Sequence, residues 1–230
     1  MNWSTVLSIL CILSFTLPIV VIIYNRYYTH RSLAALLIYY LVILIDNVLA
    51  EQFIPAPSEV RRYVGLFDNF LDVPLMLTGL LFFCPSKAKQ QRVQLFTFLF
   101  VAYELVVIFI YGFSRTSIMW IMAPGIFVIV VYSFYLFLRQ IKFSIFHGKN
   151  HGRVLMLAGI LFAYSCYALI YYFHYIEQTP FIADVFKLYY VTCTISSVLI
   201  AIGLHMMRNR MKELQSLKVT RKELALFFGQ

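Results

Sequence analysis

The stretch Gly65-Leu66-Phe67-Asp68-Asn69-Phe70-Leu71-Asp72-Val73-Pro74 opens an apolar run that lasts to Cys84. The run is about as long as a helix that crosses a ~30 Å hydrocarbon core. Two carboxylates in it, Asp68 and Asp72, lie one helical turn apart. Ionisable side chains are costly inside a membrane and usually mark a functional site, so this segment is the strongest functional lead in the chain.

The rest of the chain repeats this apolar character. Hydrophobic residues make up 62% of the sequence and charged residues 13%, far from the composition of a soluble domain. Apolar runs of about 20 residues recur along the whole length, which predicts an all-α integral membrane protein with a seven-transmembrane-helix bundle. The predicted spans are Val6–Tyr24, Leu33–Phe53, Val64–Cys84, Val93–Gly112, Ser117–Leu138, Val154–Tyr175 and Ile182–Met206.

Basic residues predict the orientation of the bundle. With the N-terminus outside, 15 of the 19 Lys and Arg residues fall on the cytoplasmic side, as the positive-inside rule expects. The predicted organisation is a membrane domain over residues 1–207 and a short basic cytoplasmic tail over residues 208–230. We expect a multi-pass protein of the plasma (inner) membrane.

The tail and the inner loops are the predicted contact surface for partners. Thr220–Glu223 has the form of a capping box, and the apolar Leu224–Phe228 follows it, which predicts an interfacial amphipathic helix on the lipid bilayer. The alternative is a docking segment for a cytoplasmic or membrane protein partner. Nucleic acid is not an expected partner, because the basic residues lie in short clusters between apolar runs.

Metal and cofactor sites are not predicted. His147 and His151 are four residues apart, but Gly148 and Gly152 predict a solvated loop over Gln140–Gly152 rather than a helix that holds a metal. The four cysteines lie in or beside apolar runs, with no zinc spacing, and are interpreted as small packed side chains.

Ionisable and polar residues converge on one level near the outer end of the predicted spans. Helical spacing turns them toward the bundle interior, because polar groups that face lipid would be left without partners. The sequence therefore predicts an outward-facing acidic pocket with helix kinks at Pro74 and Pro124 beside it. The predicted pocket residues are Asp46, Asp68, Asp72, Glu104, Tyr171, His174 and Lys187.

Several functions are compatible with such a pocket. The favoured hypothesis is a receptor or sensor for an unknown small ligand or ion, because the loops are short, the pocket is single and the tail could dock a partner. It is a non-retinal one, because a retinal-binding protein needs a Lys near the middle of the last helix and Lys187 lies at the start of that helix. A small proton- or cation-coupled transporter is the alternative, and an intramembrane enzyme ranks last, so no enzymatic activity is expected. The structural alternative is that these residues only form interhelical hydrogen bonds, each contributing about 0.6–2 kcal/mol.

Overall fold

A computed structural model describes residues 3–84, 86–147, 150–177 and 181–208. The structure is all-helical: 90% of it is helix, and the described residues contain no strand. Seven of its helices are long and apolar enough to cross a membrane, which confirms the seven predicted spans at this level. The α-helices are α1 (Trp3–Tyr24), α2 (Arg31–Ala50), α3 (Ser58–Leu80), α4 (Lys87–Tyr111), α5 (Arg115–His147), α6 (His151–Tyr171) and α7 (Ile182–Met206).

The seven helices form a closed ring in chain order. Each helix packs on the next one, α7 returns to α1, and α3 also contacts α5 across the ring. Successive helices run antiparallel because their connections are short. We call one end of the bundle the acidic end. It holds the starts of the odd-numbered helices, together with Glu51 and Asp184. The other, which holds Arg31, Lys87 and Arg153, is called the basic end.

Several helices extend beyond the predicted spans. α4 begins at Lys87 instead of Val93, with the Ser86 hydroxyl accepting a hydrogen bond of 3.4 Å from the backbone N–H of Lys89. A span prediction counts apolar residues, whereas a helix continues through polar residues as long as its backbone hydrogen bonds and caps are satisfied.

The predicted loop over Gln140–Gly152 is mostly wrong. α5 continues from Leu138 to His147, and α6 already begins at His151, after Asn150 in a left-handed conformation (φ 76°). His151 Nδ1 lies 2.9 Å from Ser144 Oγ, so the ring joins the two helices. Asn150 adopts the left-handed conformation that glycine often adopts at the end of a helix. This conformation allows a short connection between α5 and α6. The predicted tail helix lies outside the described residues.

Glycine brings α6 and α7 into their closest contact, toward the basic end. A Cβ atom added to Gly203 would lie 2.6 Å from the Gly152 carbonyl oxygen, and one added to Gly152 would lie 2.5 Å from that of Gly203. The same pattern recurs further along α6, where a Cβ atom added to Gly159 would lie 3.1 Å from the Ser196 carbonyl oxygen. Small residues at such positions let two backbones touch, as in membrane helix pairs generally.

The two prolines predicted to kink their helices lie near the contact between α3 and α5. Both helices continue through Pro74 and Pro124. A Cβ on Gly125 would lie 2.4 Å from Val73 Cγ2, so the residues beside the two prolines pack directly together. The kinks themselves stay a prediction.

α6 ends in a wider helical turn at the acidic end. Residues Tyr172–Ile176 form a π-helical turn directly after Tyr171. Such turns are rare and occur often at functional sites. This one turns His174 and Tyr175 toward the space between α6, α7 and α3, where the cavity described below is found.

Candidate functional site

A cavity of about 260 Å³ lies at the acidic end, bordered by α2, α3, α5, α6 and α7. Helices α2 and α3, with the residue that follows α2, supply polar groups one or two helical turns apart. These residues, the acidic wall, are Asp46, Asn47, Glu51, Asp68, Asn69 and Asp72. Four of them are carboxylates, and the described lining includes no Lys or Arg.

Opposite the acidic wall, α6, its π-helical turn and α7 supply aromatic side chains. These residues, the aromatic wall, are Tyr167, Tyr171, Tyr175, Phe186, Tyr189 and Tyr190. The rings of Tyr171 and Tyr175 stack with centroids 5.3 Å apart, and those of Tyr167 and Tyr189 with centroids 6.0 Å apart. The wall is therefore a packed set of rings rather than a row of independent side chains.

Hydrogen bonds join the two walls. The Tyr190 hydroxyl donates to Glu51 Oε1, and the Asn47 amide donates to the Tyr189 hydroxyl at 3.0 Å. The Asn47 amide also donates to the Ile43 carbonyl at 2.8 Å. These contacts tie α7 to the end of α2 and fix the width of the cavity on that side.

Asp72 is the deepest carboxylate of the acidic wall, and only 8% of its surface is exposed. The Tyr164 hydroxyl donates to its Oδ1 at 2.9 Å. Oδ2 has no hydrogen-bond partner among the described residues. A buried carboxylate oxygen without a partner is costly unless something else binds it, so Asp72 offers one acceptor for a ligand.

Asp46 and Asp68 face each other across the contact of α2 with α3. A Cβ at Gly65 would lie 3.2 Å from Asp46 Oδ1, which shows how closely this carboxylate approaches α3. Asp68 lies one turn before Asp72 and within electrostatic reach of both other aspartates. Both carboxylates are half-buried, and each lines the cavity.

His174 lines the cavity from the π-helical turn. Its Nε2 lies 2.9 Å from a guanidinium nitrogen of Arg115 at the start of α5. A guanidinium has no acceptor, so Nε2 accepts and the ring proton lies on Nδ1. Arg115 also lies over the Tyr175 ring, 5.2 Å from its centroid, and is not part of the described lining.

The structure brings five of the seven predicted pocket residues to this cavity and leaves two outside the described lining. Lys187 forms an ion pair of 2.7 Å with Asp184 on the surface of α7, one turn away along the helix. Glu104 is buried, with 5% of its surface exposed, on the bundle-facing side of α4. The main contacts of α4 are with α3, with the 3₁₀ turn Leu81–Phe83 that follows α3, and with α5. Glu104 therefore approaches Asp72 from a helix that contributes no residue to the described lining.

Comparison of the chain with known protein families, with curated proteins and with solved structures gave no match.

Sequence reasoning missed Glu51 and most of the aromatic wall. Glu51 lies four residues after Asn47 and therefore on the same helical face, a signal present in the sequence. Tyr167, Tyr171 and Tyr175 likewise repeat every four residues. Tyr190 shares a helical face with Lys187 and Thr194, which is a signal in the sequence, whereas Tyr189 points in a different direction. The packing of α7 on α1 and α6 brings both tyrosines to the cavity.

Proposed function

We propose that this chain is a multi-pass protein of the plasma membrane with its N-terminus outside and its C-terminus in the cytoplasm. Large apolar side chains on the outer surface of the ring support insertion, since Phe109 is 92% exposed and Phe127 is 69% exposed. In water such a surface would aggregate. The basic end carries most of the positive charge, which favours its placement in the cytoplasm.

In this setting the chain acts as a receptor or sensor for a small cationic ligand. The observation that carries the proposal is a cavity with four carboxylates and, in its described lining, no Lys or Arg. A ligand there touches five helices at once, so its binding favours whichever packing of those helices closes around it. The basic end and the tail then present the change to a protein partner in or beside the membrane.

A proton- or cation-coupled transporter is the second candidate. Asp72 and Glu104 favour it, because each is buried and has one oxygen without a hydrogen-bond partner among the described residues. A carrier also needs polar access from the basic end. On α7 such access is interrupted near that end, because Ala201 and Leu204 are buried while His205 lies on the outer surface.

Cysteine labelling tests the orientation. Cys11, Cys84 and Cys193 are buried, so a Cys166→Ala background leaves few accessible thiols. In intact cells a membrane-impermeant maleimide should label Glu177→Cys, and it should label Lys142→Cys only after permeabilisation. The reverse pattern would overturn the proposed orientation.

Reconstitution separates the receptor from the carrier. The full chain in liposomes should show no proton or cation flux under an imposed gradient. Addition of Na⁺, Ca²⁺ or phenethylammonium on the side of the acidic end should instead change the labelling rate of Lys142→Cys at the basic end. Flux that is abolished by Asp72→Asn and by Glu104→Gln would favour the carrier. No response to any of the three cations would reject the receptor.

A further inference from the structure

We infer that the cavity takes an organic ammonium ion, a primary or secondary amine with a small aromatic or apolar group, in preference to an inorganic cation. The inference deepens the proposed cation-binding function and depends on it. It follows from three properties of the cavity: which hydrogen-bonding groups are already used, what the opposite wall is made of, and how large the space is.

The acidic wall offers acceptors. Asp46 and Asp68 have neither a hydrogen bond nor an ion pair to any described residue, and Asp72 keeps Oδ2 without a partner. Asn69 donates its amide N–H to the Gly65 carbonyl at 2.6 Å, which leaves its amide oxygen available. A ligand that satisfies these groups must bring positive charge and N–H donors, and an alkylammonium brings both.

Several donors around the cavity are already used within the protein. The Tyr171 hydroxyl donates to the Met119 carbonyl at 2.8 Å, and the Tyr190 hydroxyl donates to Glu51. The Tyr167 hydroxyl pairs with Cys193 Sγ at 3.1 Å. With these three hydroxyls engaged, the aromatic wall presents mainly ring surface to a ligand. The donors that remain in the described lining are few and include His174 Nδ1–H and the hydroxyls of Tyr175 and Tyr189, while an anionic ligand would face four carboxylates.

Ring surface suits an ammonium ion with an organic substituent. Aromatic faces attract ammonium groups and pack against apolar or aromatic substituents. Met122 and Ile126 of α5 extend the apolar surface between the two walls. A calcium ion would instead need six to eight converging oxygen ligands, and the described residues contain no group of three or more His, Cys, Asp or Glu side chains arranged to hold a metal.

The size of the cavity limits the substituent. Its volume of about 260 Å³ lies just below the ~300–1,000 Å³ of typical small-molecule sites. An amine with one aromatic ring is the natural occupant, because its ammonium group reaches the aspartates while its ring remains beside the tyrosines.

Isothermal titration of the purified full chain tests the inference with five probes: phenethylammonium, 2-phenylethanol, phenylacetate, Na⁺ and Ca²⁺, the two metal ions as chlorides. Phenethylammonium should bind, while the neutral and anionic isosteres, which share its ring, should bind at least about tenfold more weakly. This comparison needs no variant, so it remains valid if a substitution prevents folding.

Variants then assign the two walls. Asp68→Asn should weaken phenethylammonium binding about tenfold or more, whereas Asp184→Asn, a control at the same end but outside the described lining, should leave it unchanged. Tyr171→Phe keeps the ring and should bind within about twofold of the native protein, and Tyr171→Leu should lose about fivefold.

Equal binding of phenylacetate or 2-phenylethanol would overturn the inference. So would Na⁺ or Ca²⁺ binding that depends on Asp68 and excludes the amine; in that case the proposed receptor for a cation would stand and only the ligand class would be wrong. Amine binding without any change in labelling at the basic end would do the opposite, leaving the ligand class intact and rejecting the sensor.

Discussion

The two ends of the α6–α7 pair are built in opposite ways. Toward the basic end, Gly152 and Gly203 bring the backbones so close that no side chain fits between them. At the acidic end, the same two helices carry the tyrosines of the aromatic wall, which hold them apart and border a cavity. The two helices are therefore in direct backbone contact at one end and border a cavity at the other. Direct backbone contact at the basic end and a cavity between side chains at the acidic end is an arrangement that suits ligand binding.

Substitution in the glycine contact should have the largest effect on stability. Gly203→Val places new atoms within 2.6 Å of the Gly152 carbonyl, so we expect the free energy of unfolding to fall by about 3 kcal/mol or more. Unfolding in mixed micelles at increasing SDS measures it. Ile202→Val is the matched control, since Ile202 is 46% exposed on the outer surface and its change should cost less than about 0.5 kcal/mol. Similar losses for both variants would contradict the close contact.

The α3–α5 contact should be the next most sensitive. Gly125→Ala puts a methyl group 2.4 Å from Val73 Cγ2, and we expect a loss of about 1–3 kcal/mol. Val73→Ala in the same chain removes the clashing methyl groups and should restore part of the stability. The test is a double-mutant cycle by the same SDS titration. Strictly additive effects would show that the two side chains do not meet.

Changes at the deep end of the cavity should be milder. Tyr164→Phe removes the hydrogen bond to Asp72 and should cost about 1 kcal/mol, the usual size of an interhelical polar contact in membranes. Asp72→Asn should cost less, because the amide oxygen still accepts from Tyr164 and no charge has to be buried. If Asp72→Asn destabilised the protein as much as Gly203→Val, the carboxylate would be a packing element and the contrast between the two ends would not hold.

The smallest effect is expected at Lys187. Its ion pair with Asp184 is exposed to solvent, and such pairs contribute about 0–1 kcal/mol. Lys187→Ala should therefore leave both the SDS midpoint and phenethylammonium binding nearly unchanged. A tenfold change in affinity would show that Lys187 belongs to the binding site, as the sequence predicted.

The helical fold was predictable from the sequence because membrane-length apolar runs are a strong local signal. The ends of the helices were not, since Ser86 and Asn150 start α4 and α6 through local backbone geometry that hydropathy does not register. Asp46, Asp68 and Asp72 were placed together because helical spacing and depth are enough to align α2 with α3.

Glu104 and Lys187 lie outside the described lining of the cavity for a different physical reason. Depth along a helix can be counted from the sequence, but the rotation of one helix against its neighbours depends on packing. α4 contacts α3 and α5 but supplies no residue to the described cavity lining, so Glu104 faces those two helices rather than the cavity. Lys187 lies at the cavity's depth, but Asp184 holds it on the surface of α7.

The π-helical turn Tyr172–Ile176 allows the cavity lining to change without an amino-acid substitution. Such a turn is an α-helix with one residue inserted. Loss of one residue from it would restore the regular helix and rotate the segment that follows by about 100°, the angle between successive residues. His174 and Tyr175 would then point away from the cavity that they now line. Insertion or deletion of a single codon here would therefore change the cavity lining in one step.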